Sequence, residues 1–216
     1  MDTRSESSPN PLIAPAELAW RGDQPFSRRF EDIYHAADGA AEVHRVFLAP
    51  TGFSALCARR AAATPAGRVL VGELGFGSGL NFVVAAEACL RTGCRLHFIS
   101  FEAAPIGPDD FHGLARRRRA QLPLYHALDE NYPPLIRGWH RRVLAEGQIT
   151  LSLFWGDAAT GLADIADRQR TPLDIWFLDG FAPDRNPQMW EPTLLQRIAS
   201  LSAPGTRVGT FTAAGR

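Results

Sequence analysis

The chain has 216 residues, 45% of them apolar and 21% charged, the composition of a folded domain rather than a disordered segment. Its 23 basic residues balance 23 acidic ones, so no bulk charge selects an anionic or cationic partner. Every basic residue is arginine, which excludes chemistry built on a Schiff-base lysine or a P-loop lysine.

Residues 1–11 are polar and lack the apolar stretch of a secretory signal. No run approaches the roughly 20 apolar residues a membrane-crossing helix requires, so the expected setting is the cytoplasm, with no membrane partner. Residues 1–28 hold Pro9, Pro11, Pro15 and Pro25 and read as an extended arm leading into one domain over 29–216. Residues 43–48, Val-His-Arg-Val-Phe-Leu, suggest a short strand, and the alanine-rich 53–63 a helix.

A regular alternation starts at residue 68. Strands are expected at 68–73, 96–102, 149–157, 173–179 and 206–212, with helices at 80–91, 109–120, 158–168 and 189–201 between them. Strands separated by helices of this length indicate parallel βαβ units. The fold class is therefore α/β: a doubly wound, mostly parallel sheet with helices on both faces. Residues 121–142, with Pro123, Pro133 and Pro134 among Tyr125, Tyr132 and Trp139, read as a long irregular connection, which in compact domains is often functional. Cys57, Cys89 and Cys94 lack the repeated close pairs of zinc sites; they read as buried reduced thiols, with no metal.

Four successive strands end in an acid: Glu73, Glu102, Asp157 and Asp179. One such acid can be a helix cap. Four at the carboxyl edge of a doubly wound sheet suggest a shared site, because ligands bind there, where strand order reverses. The turn after Glu73 carries Gly75, Gly77 and Gly79. A dinucleotide fingerprint needs its third glycine where Leu80 stands, which weakens a nicotinamide reading.

The E-x-G-x-G-x-G turn instead resembles motif one of the S-adenosylmethionine-dependent methyltransferases. That resemblance implies a cofactor site formed by Glu73, Gly75, Gly77, Gly79 and Asn81. It also implies Glu102 as acceptor for the ribose hydroxyls and Asp157 for the adenine amino group. In this class the methyl acceptor approaches the end of the fourth strand. Asp179 there would attract an ammonium, orient it and assist loss of its proton. Phe76, Phe154, Trp155 and Trp176 are candidate adenine-pocket aromatics, or core residues.

Residues 73–81, 96–102, 177–190 (with Asp-Gly-Phe-Ala-Pro, Asn-Pro and Met-Trp) and 210–215 together resemble the methyltransferase domain of the MnmC-type tRNA-modifying enzymes, as does Ser-Arg-Arg-Phe-Glu-Asp-Ile-Tyr at 27–34. The resemblance runs from about residue 17 to 215. It implies N-methylation of 5-aminomethyl-2-thiouridine at the wobble position of tRNA. Asp179 would be catalytic, and Tyr34, Phe181, Asn186 and Trp190 would touch the substrate. It further implies the tRNA anticodon loop as partner and an FAD-dependent oxidase, separate or fused, that makes the free amine; no FAD fingerprint occurs in these residues. The family continues past residues 214–215, so the sheet is expected to lack its last helix and two strands.

Arg116, Arg117, Arg118 and Arg119, with Arg137, Arg141 and Arg142, form either a tRNA-facing surface or a solvated helix end. Two other functional readings remain: a transferase acting on a small-molecule amine, and a catalytically impaired remnant of the domain.

Overall fold

The computed structural model describes residues 11–22, 24–29, 31–35, 38–166, 171–179 and 187–210. The arm is not simply extended. Its second half pairs into a small antiparallel sheet of β1 (Leu18–Arg21), β2 (Gln24–Ser27) and β3 (Asp32–Ile33). The Arg21 guanidinium lies 3.6 Å from the centre of the Phe26 ring and covers one side of the hairpin. Upstream, the arm hydrogen-bonds to the main chain near residue 136: Ile13 N–H donates to Leu135 O and Arg137 N–H to Pro11 O.

The strand expected at 43–48 is a helix. α1 (Gly39–Val43) runs directly into a π-helical turn, His44–Leu48, closed by the Ala49 N–H donating to His44 O. Val43, Phe47 and Leu48 are buried, an i, i+4, i+5 spacing that fits one helical face rather than alternation. Phe47 packs on Phe177 of the main sheet at a centroid distance of 5.0 Å. This contact and the helix-forming Ala-Ala-Glu upstream outweigh the strand preference of the valines.

α2 (Phe53–Ala63), β4 (Arg68–Leu74), α3 (Leu80–Leu90), β5 (Arg95–Glu102) and α4 (Pro108–Arg118) follow as expected. The stretch expected to be irregular contains α5 (Leu124–Glu130) and β6 (Gly138–Leu144). Pro123 misleads because proline is at home at a helix start, and β6 is an arginine-bearing edge strand. β7 (Ile149–Trp155), α6 (Ala158–Ala166) and β8 (Ile175–Leu178) complete the sheet's centre. A single 3-10 turn, Pro187–Trp190, precedes α7 (Pro192–Ser200), and β9 (Arg207–Thr210) closes the described chain.

Among the described residues the main sheet has the order β6-β7-β5-β4-β8-β9. All neighbours are parallel except β6, which runs antiparallel to β7. The chain winds outward from β4 through β5 to β7, then returns to β8 and β9 on the other side. Strand order therefore reverses between β4 and β8, which fixes the expected crevice above those two strands.

Strand residues of opposite parity feed two cores. Val69, Val71, Leu96, Phe98, Leu151 and Phe177 pack with α2, α3, α4 and α5, and Leu74, Ile99, Phe101 and Trp176 pack with α6 and α7. Gly72 lies on the second face, where an added Cβ would fall 2.3 Å from Cζ3 of Trp176; only glycine admits the indole there.

Candidate active site

The strand register brings the four acids to one edge. Leu74 is level with Phe101 and with Leu178, and Glu102 is level with Trp155. Glu102 therefore ends β5 beside the glycine turn after β4. Asp179 follows β8 on the other side of that turn.

The turn is held by main-chain bonds and by α5. Gly75 and Phe76 N–H both donate to Phe101 O, at 3.0 and 3.3 Å, and Gly79 N–H donates to Phe76 O at 2.8 Å. Gly75, Gly77 and Gly79 have φ of +86°, +50° and +73°, values that a side chain would strain. From beneath, the Tyr125 hydroxyl donates to Ser78 O at 3.1 Å, and Glu87 of α3 accepts from the Leu124 N–H at the start of α5 at 3.0 Å. The proline-rich stretch thus supports the turn, a role its composition did not reveal.

Glu102 is half-buried at the mouth. Its Oε2 accepts from Gly77 N–H at 2.9 Å and its Oε1 from Ala104 N–H at 2.8 Å. An ionised carboxylate offers about four lone-pair sites, so acceptor capacity remains beside these bonds. Burial raises its pKa, and these backbone donors oppose the shift.

Tyr34 reaches the same place from the small sheet. Its ring lies 3.0 Å from where a Gly77 Cβ would stand, so Gly77 is bare at least partly to admit Tyr34. Burial raises the phenol's pKa, with Glu102 adding to the effect and the Ser27 side chain opposing it.

Asp179 is half-buried and accepts a 2.5 Å hydrogen bond at Oδ2 from the Asn81 side-chain amide. Burial pushes its pKa up to about 7; Asn81 opposes this and Glu42 of α1 adds to it. Asn81 sits in the first turn of α3, so the glycine turn and Asp179 are joined by one side chain.

Glu73 has no exposed surface. Its Oε2 accepts from the Ser100 hydroxyl at 2.6 Å, while Oε1 is buried with no hydrogen-bond partner among the described residues. Burial holds its pKa well above the usual carboxylate range, and the charges of Asp179 and Glu102 raise it further. Ser100, level with Glu73 on β5, went unnoticed in the sequence; the shared parity of the two strands was its only signal.

Asp157 is exposed and caps α6: its Oδ2 accepts from the Thr160 N–H and hydroxyl at 2.9 and 3.1 Å. Trp190 packs at the edge of the α6–α7 core. Phe181 and Asn186 lie outside the described residues. Phe76, Phe154, Trp155 and Trp176 are buried core residues. Tyr132 stacks on Phe111 with ring centres 3.9 Å apart.

The arginine run has a third use beyond the two expected from sequence. Arg117 covers the Trp20 ring at 3.9 Å and Arg118 donates to His35 Nδ1 at 3.1 Å, so two of the four fasten the small sheet to α4. Arg116 and Arg119 are exposed. Among the described residues no helix is long and apolar enough to cross a membrane.

Residues 121–216 match a family model described as S-adenosyl-L-methionine-dependent methyltransferase. The chain is 42% identical over 93% of its length to the tRNA 5-methylaminomethyl-2-thiouridine biosynthesis bifunctional protein MnmC of Chromobacterium violaceum. It is 41% identical over 97% of its length to the protein of the same name from Magnetococcus marinus. The chain is a homologue of the MnmC proteins. It spans 30% and 31% of the length of these two relatives. MNMC2 from Aquifex aeolicus, a crystal structure, superposes with a TM-score of 0.68 at 21% identity, over 94% of this chain and 62% of the other. That likeness shows that the MnmC homologue shares its doubly wound α/β fold with that structure.

Proposed function

We propose that the chain transfers the methyl group of S-adenosylmethionine to the amine of 5-aminomethyl-2-thiouridine at the tRNA wobble position, giving the methylaminomethyl form. The observation that carries this reading is Asp179, with a pKa of about 7 and a bond from Asn81 that ties it to the glycine turn. The substrate is inferred from the relatives' names. The methyl-to-nitrogen bond is what distinguishes a methylaminomethyl product from its aminomethyl precursor, and a base at the crevice is what forming that bond requires.

The residues present fit the cofactor. α3 begins at Gly79 with no side-chain cap, leaving the positive end of the helix dipole for a carboxylate. Glu102 keeps acceptor capacity for a ribose diol, and Gly75, Gly77 and Gly79 form the turn between them. Asp157 is assigned to the adenine amino group through the part of its carboxylate not used in capping. Tyr34 is assigned to the substrate side, over the turn and beside Glu102. When bound, the cofactor supplies an electrophilic methyl group on a cationic sulfur.

An aminomethyl group arrives largely as its ammonium. Asp179, ionised above about pH 7, attracts that cation and accepts its proton, exposing the nitrogen lone pair. Asn81 fixes the carboxylate's orientation. Glu73, its pKa raised chiefly by burial, is anchored by the Ser100 hydroxyl beneath the turn. Phe181, Asn186 and Trp190 are assigned to framing the uridine. The relatives are called bifunctional and are longer than this chain; the partner activity is assigned to an FAD-dependent oxidase that supplies the free amine, and a tRNA substrate supports a cytoplasmic setting.

The test is to incubate the purified chain and S-adenosylmethionine with tRNA bearing 5-aminomethyl-2-thiouridine, then digest it and identify the nucleosides by mass spectrometry. Conversion to the methylaminomethyl nucleoside is expected. Cofactor binding without conversion would contradict the assigned substrate, and faster conversion of the free nucleoside than of tRNA would favour a small-amine transferase.

A further inference from the structure

Cys57 on α2, Cys89 near the end of α3 and Cys94 in the turn before β5 are far apart or irregularly spaced in sequence, yet their sulfur atoms all lie within 4.8 Å of one another. All three are fully buried and none is in a disulfide. They sit at the amino-terminal edge of the sheet, opposite to Asp179, since Cys94 leads into β5 and its thiol donates to the carbonyl of Gly67, just before β4, at 3.3 Å. Cys89 donates to Cys94 O at 3.2 Å. Thr92 bonds both Cys89 O and Cys94 N–H, at 2.7 and 3.4 Å, and closes the turn over the cluster. Residues 62–66, Arg91 and Gly93, adjoining it in sequence, are exposed.

We propose that Cys57, Cys89 and Cys94 form a three-thiol site for a soft, thiophilic ion of charge three, of the trivalent arsenic or antimony type. Metal–sulfur bonds of about 2.3 Å put sulfurs roughly 3.5–4 Å apart, which small side-chain adjustments provide. The donor set is three sulfurs, with no histidine or carboxylate in the group among the described residues. Zinc requires a fourth ligand, whereas soft centres select thiolates. Charge decides among soft ions: three thiolates in an apolar, fully buried pocket are costly unless neutralised, and a trivalent centre cancels them.

The reaction is an exchange without electron transfer. Three S–H bonds and three As–OH bonds of arsenous acid become three As–S bonds, and three waters leave. The site bridges α2, α3 and the start of β5, so occupancy stiffens one face of the domain.

Native mass spectrometry of the phosphine-reduced full chain titrated with arsenous acid tests this. One arsenic per chain is expected, with loss of all three hydroxyls, and a raised melting temperature. An adduct retaining a hydroxyl, meaning two sulfurs bound, or no adduct with the folded chain, overturns the proposal. C57S, C89S and C94S should each weaken binding at least a hundredfold while zinc binds none of the proteins comparably; arsenic affinity unchanged in any one folded variant also overturns it. The wild-type adduct mass decides the matter should a variant fail to fold.

Discussion

A half-buried carboxylate that accepts an amide hydrogen bond is under opposed influences, and Asp179 is poised by them. Burial favours its neutral form and Asn81 favours its charge. Removing the amide in N81A therefore raises the pKa of Asp179. The acid limb of kcat/KM should move to higher pH, with the plateau reached later and a several-fold loss at pH 7; an unmoved limb would separate Asn81 from the base. Glu73 follows the same logic with burial complete, and hydrogen bonds from Ser100 and Asn81 oppose the shift. The acids were legible in the sequence because each ends an apolar run. How each would be held was not, because that depends on Asn81, Ser100 and Thr160, polar residues whose partners only the folded register supplies. Asp157 shows this most plainly, since its cap on α6 is visible only once Thr160 is in place.

At the scale of elements, the glycine turn depends on a helix that composition concealed. Tyr125 on α5 is buried with its hydroxyl on Ser78 O. Y125F removes that bond and leaves a buried carbonyl short of a donor, at a cost of about 1–3 kcal/mol. A lower melting temperature and several-fold weaker S-adenosylmethionine binding by calorimetry are expected; unchanged affinity would show that α5 does not support the site. The central strands were readable as near-continuous apolar runs, as buried parallel strands are. The 43–48 segment was not, since Val-x-x-Val-Phe-Leu satisfies both periods and only the contact with Phe177 decides. The cysteines likewise met only through the packing of α2 against α3.

For the whole molecule, three carboxyls at one crevice have raised pKa values: Asp179, Glu102 and Glu73. Unfolded, they ionise in the ordinary carboxylate range near pH 4. Between there and their folded values the native state holds more protons, so their contribution to stability is full at low pH and falls as pH rises. For Asp179 the window closes near pH 7. The stability of D179N relative to wild type should therefore be greater at pH 8 than at pH 5 by denaturant titration; equal differences would remove the buried-charge account.

The small sheet is fastened to α4 by Arg117 on Trp20 and Arg118 on His35, and it carries Tyr34 to the glycine turn. W20A should loosen that attachment and raise the Kd for S-adenosylmethionine several-fold while leaving the main sheet's cooperative unfolding intact. Unaltered cofactor affinity would detach the small sheet from the site.

Proton removal by Asp179 at a crevice that still binds the methyl donor is the claim on which the functional account rests. Its most direct test is methyl transfer to aminomethyl-thiouridine tRNA by D179N across pH 5–9, with cofactor affinity measured on the same samples. Binding within a few-fold of wild type, a loss of about 10²–10⁴-fold in kcat and disappearance of the limb near pH 7 are expected. Transfer at the wild-type rate with the limb still in place would contradict the account.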